Sequence, residues 1–229
     1  MKTDFMKFKS GQRKASRSKD GAFTLIELLV VIAIMAILAA FTLSVLYGVG
    51  KLKVVNTATA ELEQIQTALD DYKTQYGSYP PANPLNYKLN PLYYELLGVT
   101  NVNGQFETLD SASTVPVATY NTTFGVGGAI NCGKPGNDAE AAKARSFLTG
   151  LKPNRIGQYP VGNSSVGLLV TSAPAQDSAY QPLGVVGLNP FCYAYPGTNN
   201  PTGFDLWIDL KINGKTNRVC NWRKGAFVL

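Results

Sequence analysis

The sequence contains no histidine and little charge. Of its 229 residues, 16% are charged and 45% are hydrophobic. The absence of histidine excludes histidine-based catalytic triads and zinc sites with histidine ligands. Only three cysteines are present, and their spacing does not fit a zinc cluster. The length suits one domain of ordinary size with an appendage. No pairing of a nucleophile with a base is visible, so an enzyme is not expected.

The positive charge is concentrated at the start of the chain. The net charge is +6, and residues 1–22 carry +5 of it, because they hold seven Lys or Arg and two Asp. A basic segment before a nearly neutral body is typical of targeting and not of nucleic-acid binding. No nucleic-acid partner is therefore expected.

A long apolar segment follows this basic one. Residues 28–50 contain no charged side chain, and about 20 apolar residues let a helix cross a bilayer. The basic side then stays in the cytoplasm and the body lies outside. A cleavable secretory signal peptide and an ordinary anchor helix are alternatives. Neither explains Glu27, a carboxylate at the edge of the apolar run, where a charge is costly unless a partner neutralises it.

Residues 21–31 read GAFTLIELLVV. They resemble the class III signal of type IV pilins and type II secretion pseudopilins. In that family a prepilin peptidase removes the leader, the new first residue is N-methylated, and a glutamate stands fifth in the mature chain. The resemblance implies cleavage between Ala22 and Phe23, which keeps Glu27 in that register. Cleavage between Gly21 and Ala22 is the alternative, since the family usually has glycine before the cut.

The resemblance also implies a division of the chain and a role for Glu27. Residues 1–22 are the leader, residues 23–50 the transmembrane and assembly helix, and residues 51–229 the periplasmic head. Cleavage creates an ammonium group four residues before Glu27, and opposite charges that are buried together offset each other's desolvation. The amine of one subunit is expected to pair with Glu27 of its neighbour in a filament.

The long helix continues into the head as an amphipathic helix. Apolar residues recur at steps of three and four and predict one buried stripe on a helix over residues 24–76. The stripe comprises Leu52, Val55, Ala58, Leu62, Ile65, Leu69, Tyr72 and Tyr76. The opposite, polar face includes Lys53, Asn56, Glu61, Gln64, Asp71 and Lys73. Gly77 predicts the end of the helix.

The C-terminal part predicts a small antiparallel sheet. Residues 206–212 alternate like a strand, Asn213-Gly214 is a strong hairpin signal, and residues 219–222 form a returning strand. A third strand lies within residues 189–197. A helix followed by three strands that cover its stripe gives an α+β, pilin-like head. Residues 70–80 and 189–207 are similar to segments of the major pseudopilins of type II secretion.

The segment between these parts is less regular. Residues 90–98 predict a short helix that ends at a glycine, and residues 138–148 predict a second one. The remainder reads as loops with short strands, an insertion into a smaller head.

Calcium and a disulfide are weaker expectations. In the pseudopilins the loop after the matching strand binds calcium, and Asp205, Asp209 and Asn213 are the candidates here. Basic neighbours oppose this, and a plain hairpin is the better interpretation. Cys192 and Cys220 fall on neighbouring predicted strands, so they form either a disulfide or two buried thiols.

The resemblance implies a structural subunit of a type II secretion pseudopilus. Such a subunit waits in the bacterial inner membrane and then assembles with its own copies into a helical filament. Prepilin peptidase, an inner-membrane assembly platform and minor pseudopilins are the implied partners. A type IV pilin for adhesion, motility or DNA uptake is the alternative.

Overall fold

The computed structural model describes residues 24–133, 143–173, 177 and 179–229, with the side chains of residues 41–49 excepted. The chain is α+β, as predicted. It consists of two compact units, with the boundary between Leu46 and Tyr47. The helices are α1 (Leu25–Tyr76), α2 (Leu92–Leu97) and α3 (Val117–Phe124), with a 3-10 turn at Pro153–Arg155. The strands are β1 (Val99–Val102), β2 (Gln105–Thr108), β3 (Thr114–Pro116), β4 (Cys132–Gly133), β5 (Ile156–Val161), β6 (Ser164–Leu169), β7 (Cys192–Ala194), β8 (Asp205–Ile212), β9 (Lys215–Cys220) and β10 (Arg223–Val228).

Helix α1 ends where the sequence predicts. Its last residue is Tyr76, and Gly77 follows with a φ of 78°, a left-handed conformation that glycine adopts at little cost. The amide of Gly77 donates to the carbonyl of Lys73 at 2.8 Å. This bond satisfies one of the carbonyl groups that a helix leaves unpaired at its end.

Most of the predicted apolar stripe lies in the core of the second unit. Its buried members are Ala58, Leu62, Ile65, Leu69 and Tyr72. Leu52 is an exception, since it remains 62% exposed while Val54 is buried nearby. Glu61 is a second correction: it was predicted on the polar face but is buried, because it contacts an arginine from a distant segment.

The C-terminal sheet packs into the same core. Its strand order is β10-β9-β8-β7, and all of its neighbours are antiparallel. Asn213 and Gly214 have φ angles of 52° and 76°, as a two-residue hairpin turn of type I′ requires. The inward side chains of β8 join the apolar cluster that contains the stripe of α1. Strand β10 adds a fourth strand that the sequence analysis did not predict.

Two further sheets occupy the segment between α2 and β7. One has the order β3-β2-β1-β4, in which β1 and β4 are parallel, and the other is the β5-β6 hairpin. The prediction of short strands here is confirmed.

One helix of this segment was missed and another was wrongly placed. Helix α3 follows Pro116 and ends at Phe124, before Gly125, and it buries Tyr120 and Phe124, which are one helical turn apart. That spacing was a readable signal. The helix predicted over residues 138–148 is wrong over residues 143–148, which form no helix and whose Phe147 amide bonds the carbonyl of Leu96. Residues 138–142 lie outside the described part of the chain.

Candidate assembly segment and head clusters

Helix α1 begins with a capping box formed by Thr24 and Glu27. The Thr24 amide and hydroxyl donate to the Glu27 carboxylate at 2.9 and 2.7 Å, and the Glu27 amide donates to the Thr24 hydroxyl at 3.3 Å. The reciprocal bonds satisfy amide groups that a helix start otherwise leaves free. Glu27 therefore fixes the first turn of its own helix, a role that the Thr-x-x-Glu spacing signals and that the sequence analysis missed.

The helix that follows this cap exposes a continuous apolar surface. From Leu25 to Leu38, every large hydrophobic side chain is between 47% and 82% exposed. A contiguous apolar surface on a single chain marks a contact with lipid or with another protein. The described part of the first unit therefore has the surface of an assembly or membrane segment.

Several predicted site residues lie outside the described part of the chain. They are the leader, residues 1–22 with Gly21 and Ala22, and the proposed first mature residue, Phe23. Glu27 is the predicted site residue of this segment that the structure describes. Its pairing with the amine of a neighbouring subunit stays a prediction.

Among the described residues, no helix combines the length and the apolar character that crossing a membrane requires.

Comparison with known families identifies the segment. Residues 17–43 match the prokaryotic N-terminal methylation motif. The chain carries the signature of type IV pilins and pseudopilins. This signature belongs to structural and not enzymatic proteins, and it implies processing by prepilin peptidase, membrane association and filament assembly in general. No curated protein and no solved structure matches the chain.

In the head of this pilin-like chain, Glu95 holds three segments together. Glu95 is fully buried in α2. Its carboxylate accepts bonds from the hydroxyls of Tyr72 at 2.8 Å and Tyr120 at 3.3 Å, and from the amides of Ile130 at 2.9 Å and Asn131 at 3.0 Å. Desolvation by burial raises the pKa of Glu95, although these bonds act in the opposite direction.

Asn131 extends this cluster on the other side. Its side-chain amide donates to the carbonyls of Glu95 and Arg145 at 2.7 and 2.6 Å, and its side-chain oxygen accepts from Tyr76 at 2.7 Å. Every polar atom of the Glu95 carboxylate and the Asn131 side chain thus has a partner. The cluster is a structural joint between α1, α2 and α3, and sequence analysis missed it because a single glutamate in a short helix is not distinctive.

A second buried cluster fixes the middle of α1. The Arg155 Nε lies 3.5 Å from the Glu61 Oε1, and both side chains are less than a tenth exposed. Thr171 donates its hydroxyl to Glu61 at 2.7 Å, and Ser172 donates both its amide and its hydroxyl. Burial lowers the pKa of Arg155, and the charge of Glu61 offsets part of that effect.

The three calcium candidates do not form one site. The Asp205 carboxylate accepts from the backbone amides of Thr198, Asn199 and Asn200 at 2.8 to 3.0 Å. Asp209 accepts two bonds from the Arg218 guanidinium at 2.7 and 2.8 Å. Asn213 lies beyond the opposite end of β8 from Asp205, about 25 Å away at the rise of a strand. Donors already occupy the carboxylate oxygens of Asp205 and Asp209, and the donor to Asp209 is a cation, which opposes calcium there. Calcium binding by these residues stays an untested expectation.

The predicted disulfide is not formed, and the cysteines are free thiols. Cys192 and Cys220 both lie opposite Trp207, but from the two sides of β8. Two strand spacings place them about 9–10 Å apart, whereas the Cα atoms of a disulfide lie about 4.4–6.8 Å apart. Burial raises the pKa of Cys192 to about 12. The alternative of two buried thiols is therefore correct.

Proposed function

We propose that this chain is a structural subunit of a type II secretion pseudopilus. It assembles through residues 23–50 into a helical filament that supports protein secretion. The observation that carries this proposal is the exposed apolar surface of α1, which begins at the Thr24–Glu27 cap inside the methylation motif. The similarity of residues 70–80 and 189–207 to major pseudopilins favours secretion over other filament functions.

The chain is processed and anchored in the membrane before it assembles. Prepilin peptidase removes residues 1–22, and Phe23 is methylated; a start at Ala22 is the alternative. Before assembly, residues 23–50 anchor the subunit in the inner membrane, with the basic side in the cytoplasm and the head in the periplasm. The assembly platform and the minor pseudopilins then receive it, and its main partner is another copy of itself.

Within the filament, Glu27 has two roles that substitutions separate. Glu27→Leu removes both the charge and the cap on Thr24, whereas Glu27→Gln keeps a side-chain oxygen for the cap but removes the charge. If the charge pairs with a neighbouring amine, both variants insert into the membrane and fail to assemble. Glu63→Leu, a matched change at an exposed position of α1, assembles normally.

The measurement is the yield of sheared filaments beside the amount of membrane-bound subunit. Normal filaments from Glu27→Leu would refute the charge pair, and normal filaments from Glu27→Gln alone would reduce Glu27 to a helix cap. The intact mass of the mature protein should show the loss of residues 1–22 and the gain of one methyl group. A mature chain that starts at Met1 would exclude this processing.

A type IV pilin for adhesion, motility or DNA uptake is the second candidate. The observation in its favour is the enlarged head, in which two sheets lie between α2 and β7. Deletion of the gene separates the two candidates, because a pseudopilin mutant loses protein secretion and a pilin mutant loses surface fibres. A gene position beside a secretion ATPase and a secretin would support the first.

A further inference from the structure

A cavity of about 430 Å³, lined mostly by polar and charged residues, lies beside the Glu61–Arg155 pair. Both members of the pair line it, together with Gln64 and Ser172, and Lys152 stands exposed among the lining residues. Two cations and one carboxylate thus face the same space. The cavity carries one positive charge that no described lining residue balances.

Arg155 has buried donors that lack an acceptor in the part of the chain that the structure describes. Its side chain is more than nine-tenths buried, yet its Nε and Nη2 have no hydrogen-bond acceptor among the described residues. Its Nη1 donates to the Gln64 side-chain oxygen. Buried donors are almost always paired in native proteins, and leaving one unpaired is unfavourable, more so when the group is charged.

Glu61 does not supply the missing acceptor. Its two oxygens already accept bonds from Thr171 and Ser172, and this arrangement leaves the closest approach of Arg155 at 3.5 Å. A guanidinium that pairs fully with an oxyanion makes shorter, parallel hydrogen bonds. The pair in the structure is therefore an incomplete one.

We propose that this cavity binds a small oxyanion, a carboxylate or phosphate group, which Arg155 and Lys152 hold together. The unpaired guanidinium nitrogens are buried in the unliganded chain, so the Arg155 side chain turns toward the oxygens of the anion as it binds, and Lys152 contributes a second positive charge at the rim. The lowered pKa of Arg155 agrees with this, since it shows a cation that burial disfavours and that Glu61 compensates only in part. The oxyanion is either free in solution or a carboxylate from a second copy of this chain.

Calorimetric titration tests the proposal. Inorganic phosphate is added to the full-length protein in detergent at constant ionic strength. The first titration uses unassembled single chains. The wild type should bind one phosphate per chain in a saturable manner. Lys152→Gln, at an exposed position, should weaken binding about twofold to fivefold. Lys215→Gln is the matched control, an exposed lysine outside this cavity, and should bind like the wild type.

Each result of the titration either supports or overturns anion binding in this cavity. Absence of saturable binding, or equal affinities of the wild type and Lys152→Gln, would overturn the proposal. Arg155→Gln should abolish binding if it folds, and Lys152→Gln keeps the test decisive if it does not. Repetition with assembled filaments identifies the source: binding that persists points to a free anion, and binding that disappears points to a carboxylate of a neighbouring copy.

Discussion

The Tyr72 hydroxyl donates a 2.8 Å hydrogen bond to the Oε2 of Glu95, and so joins the end of α1 to α2. Both side chains are fully buried. The long helix is thus tied to the head by a polar contact inside an apolar core. Such a contact is specific, because a shortened side chain at position 95 would leave a buried donor without an acceptor.

We expect Glu95→Gln to destabilise the head. The carboxylate accepts four bonds, and a glutamine would turn an NH₂ group toward two donors. The expected loss in the free energy of unfolding is about 1–3 kcal/mol. Denaturant titration of the full chain in detergent measures it, with the exposed Glu63→Gln as control. Equal midpoints for the two variants would show that the hydrogen bonds to Glu95 contribute nothing.

The stability of the head should also depend on the protonation of Glu95. Because burial raises the pKa of Glu95, the folded state keeps this proton at a pH where the unfolded chain has lost it. The contribution of Glu95 to the free energy of unfolding is therefore largest below the unfolded pKa, about 4.3. It falls as pH rises through the higher folded value.

Comparison of the wild type with Glu95→Gln isolates this effect from other carboxylates. The difference in the free energy of unfolding between the two should shrink as pH rises across that window. Denaturant titrations at several pH values measure the difference. Parallel profiles would mean that the pKa of Glu95 is the same in the folded and unfolded states.

We expect Glu61→Gln to lower the stability of the folded chain more than a substitution at an exposed position of α1 would. It leaves the buried Arg155 without a counter-charge, and breaking a buried pair typically costs about 3–5 kcal/mol. Since the pair is incomplete at 3.5 Å, the lower end of that range is expected. Thermal unfolding of the full chain gives the value. Glu63→Gln, two residues along α1, should change little, and a similar small change in Glu61→Gln would contradict the prediction.

The cysteines should behave as three free thiols. After denaturation without reductant, iodoacetamide should add three groups to each chain, and the mass spectrum reports the number directly. In the folded protein, Cys192 and Cys220 should react slowly because both are buried. A denatured chain that takes up only one group would restore the disulfide between Cys192 and Cys220.

The sequence by itself determined the features that depend only on residues close together in the chain. The methylation motif, the end of α1 at Gly77 and the Asn213-Gly214 turn follow from residues within a few positions of each other. Residues 28–41 are uniformly apolar, and the stripe of α1 recurs at helical spacing, so composition and period alone predict both. Such features need no knowledge of which distant segments meet.

Only the tertiary structure determined which polar and sulfur side chains are buried and which partners they contact. Glu61 is buried because Arg155, far away in the chain, reaches it, and Glu95 is buried because α3 and residues 130–131 close over it. Cys192 and Cys220 stay apart because β8 lies between their strands. The sequence pattern around a charged residue or a cysteine does not identify its partner. Its environment depends on segments that are distant in the chain and pack against it only in the folded structure.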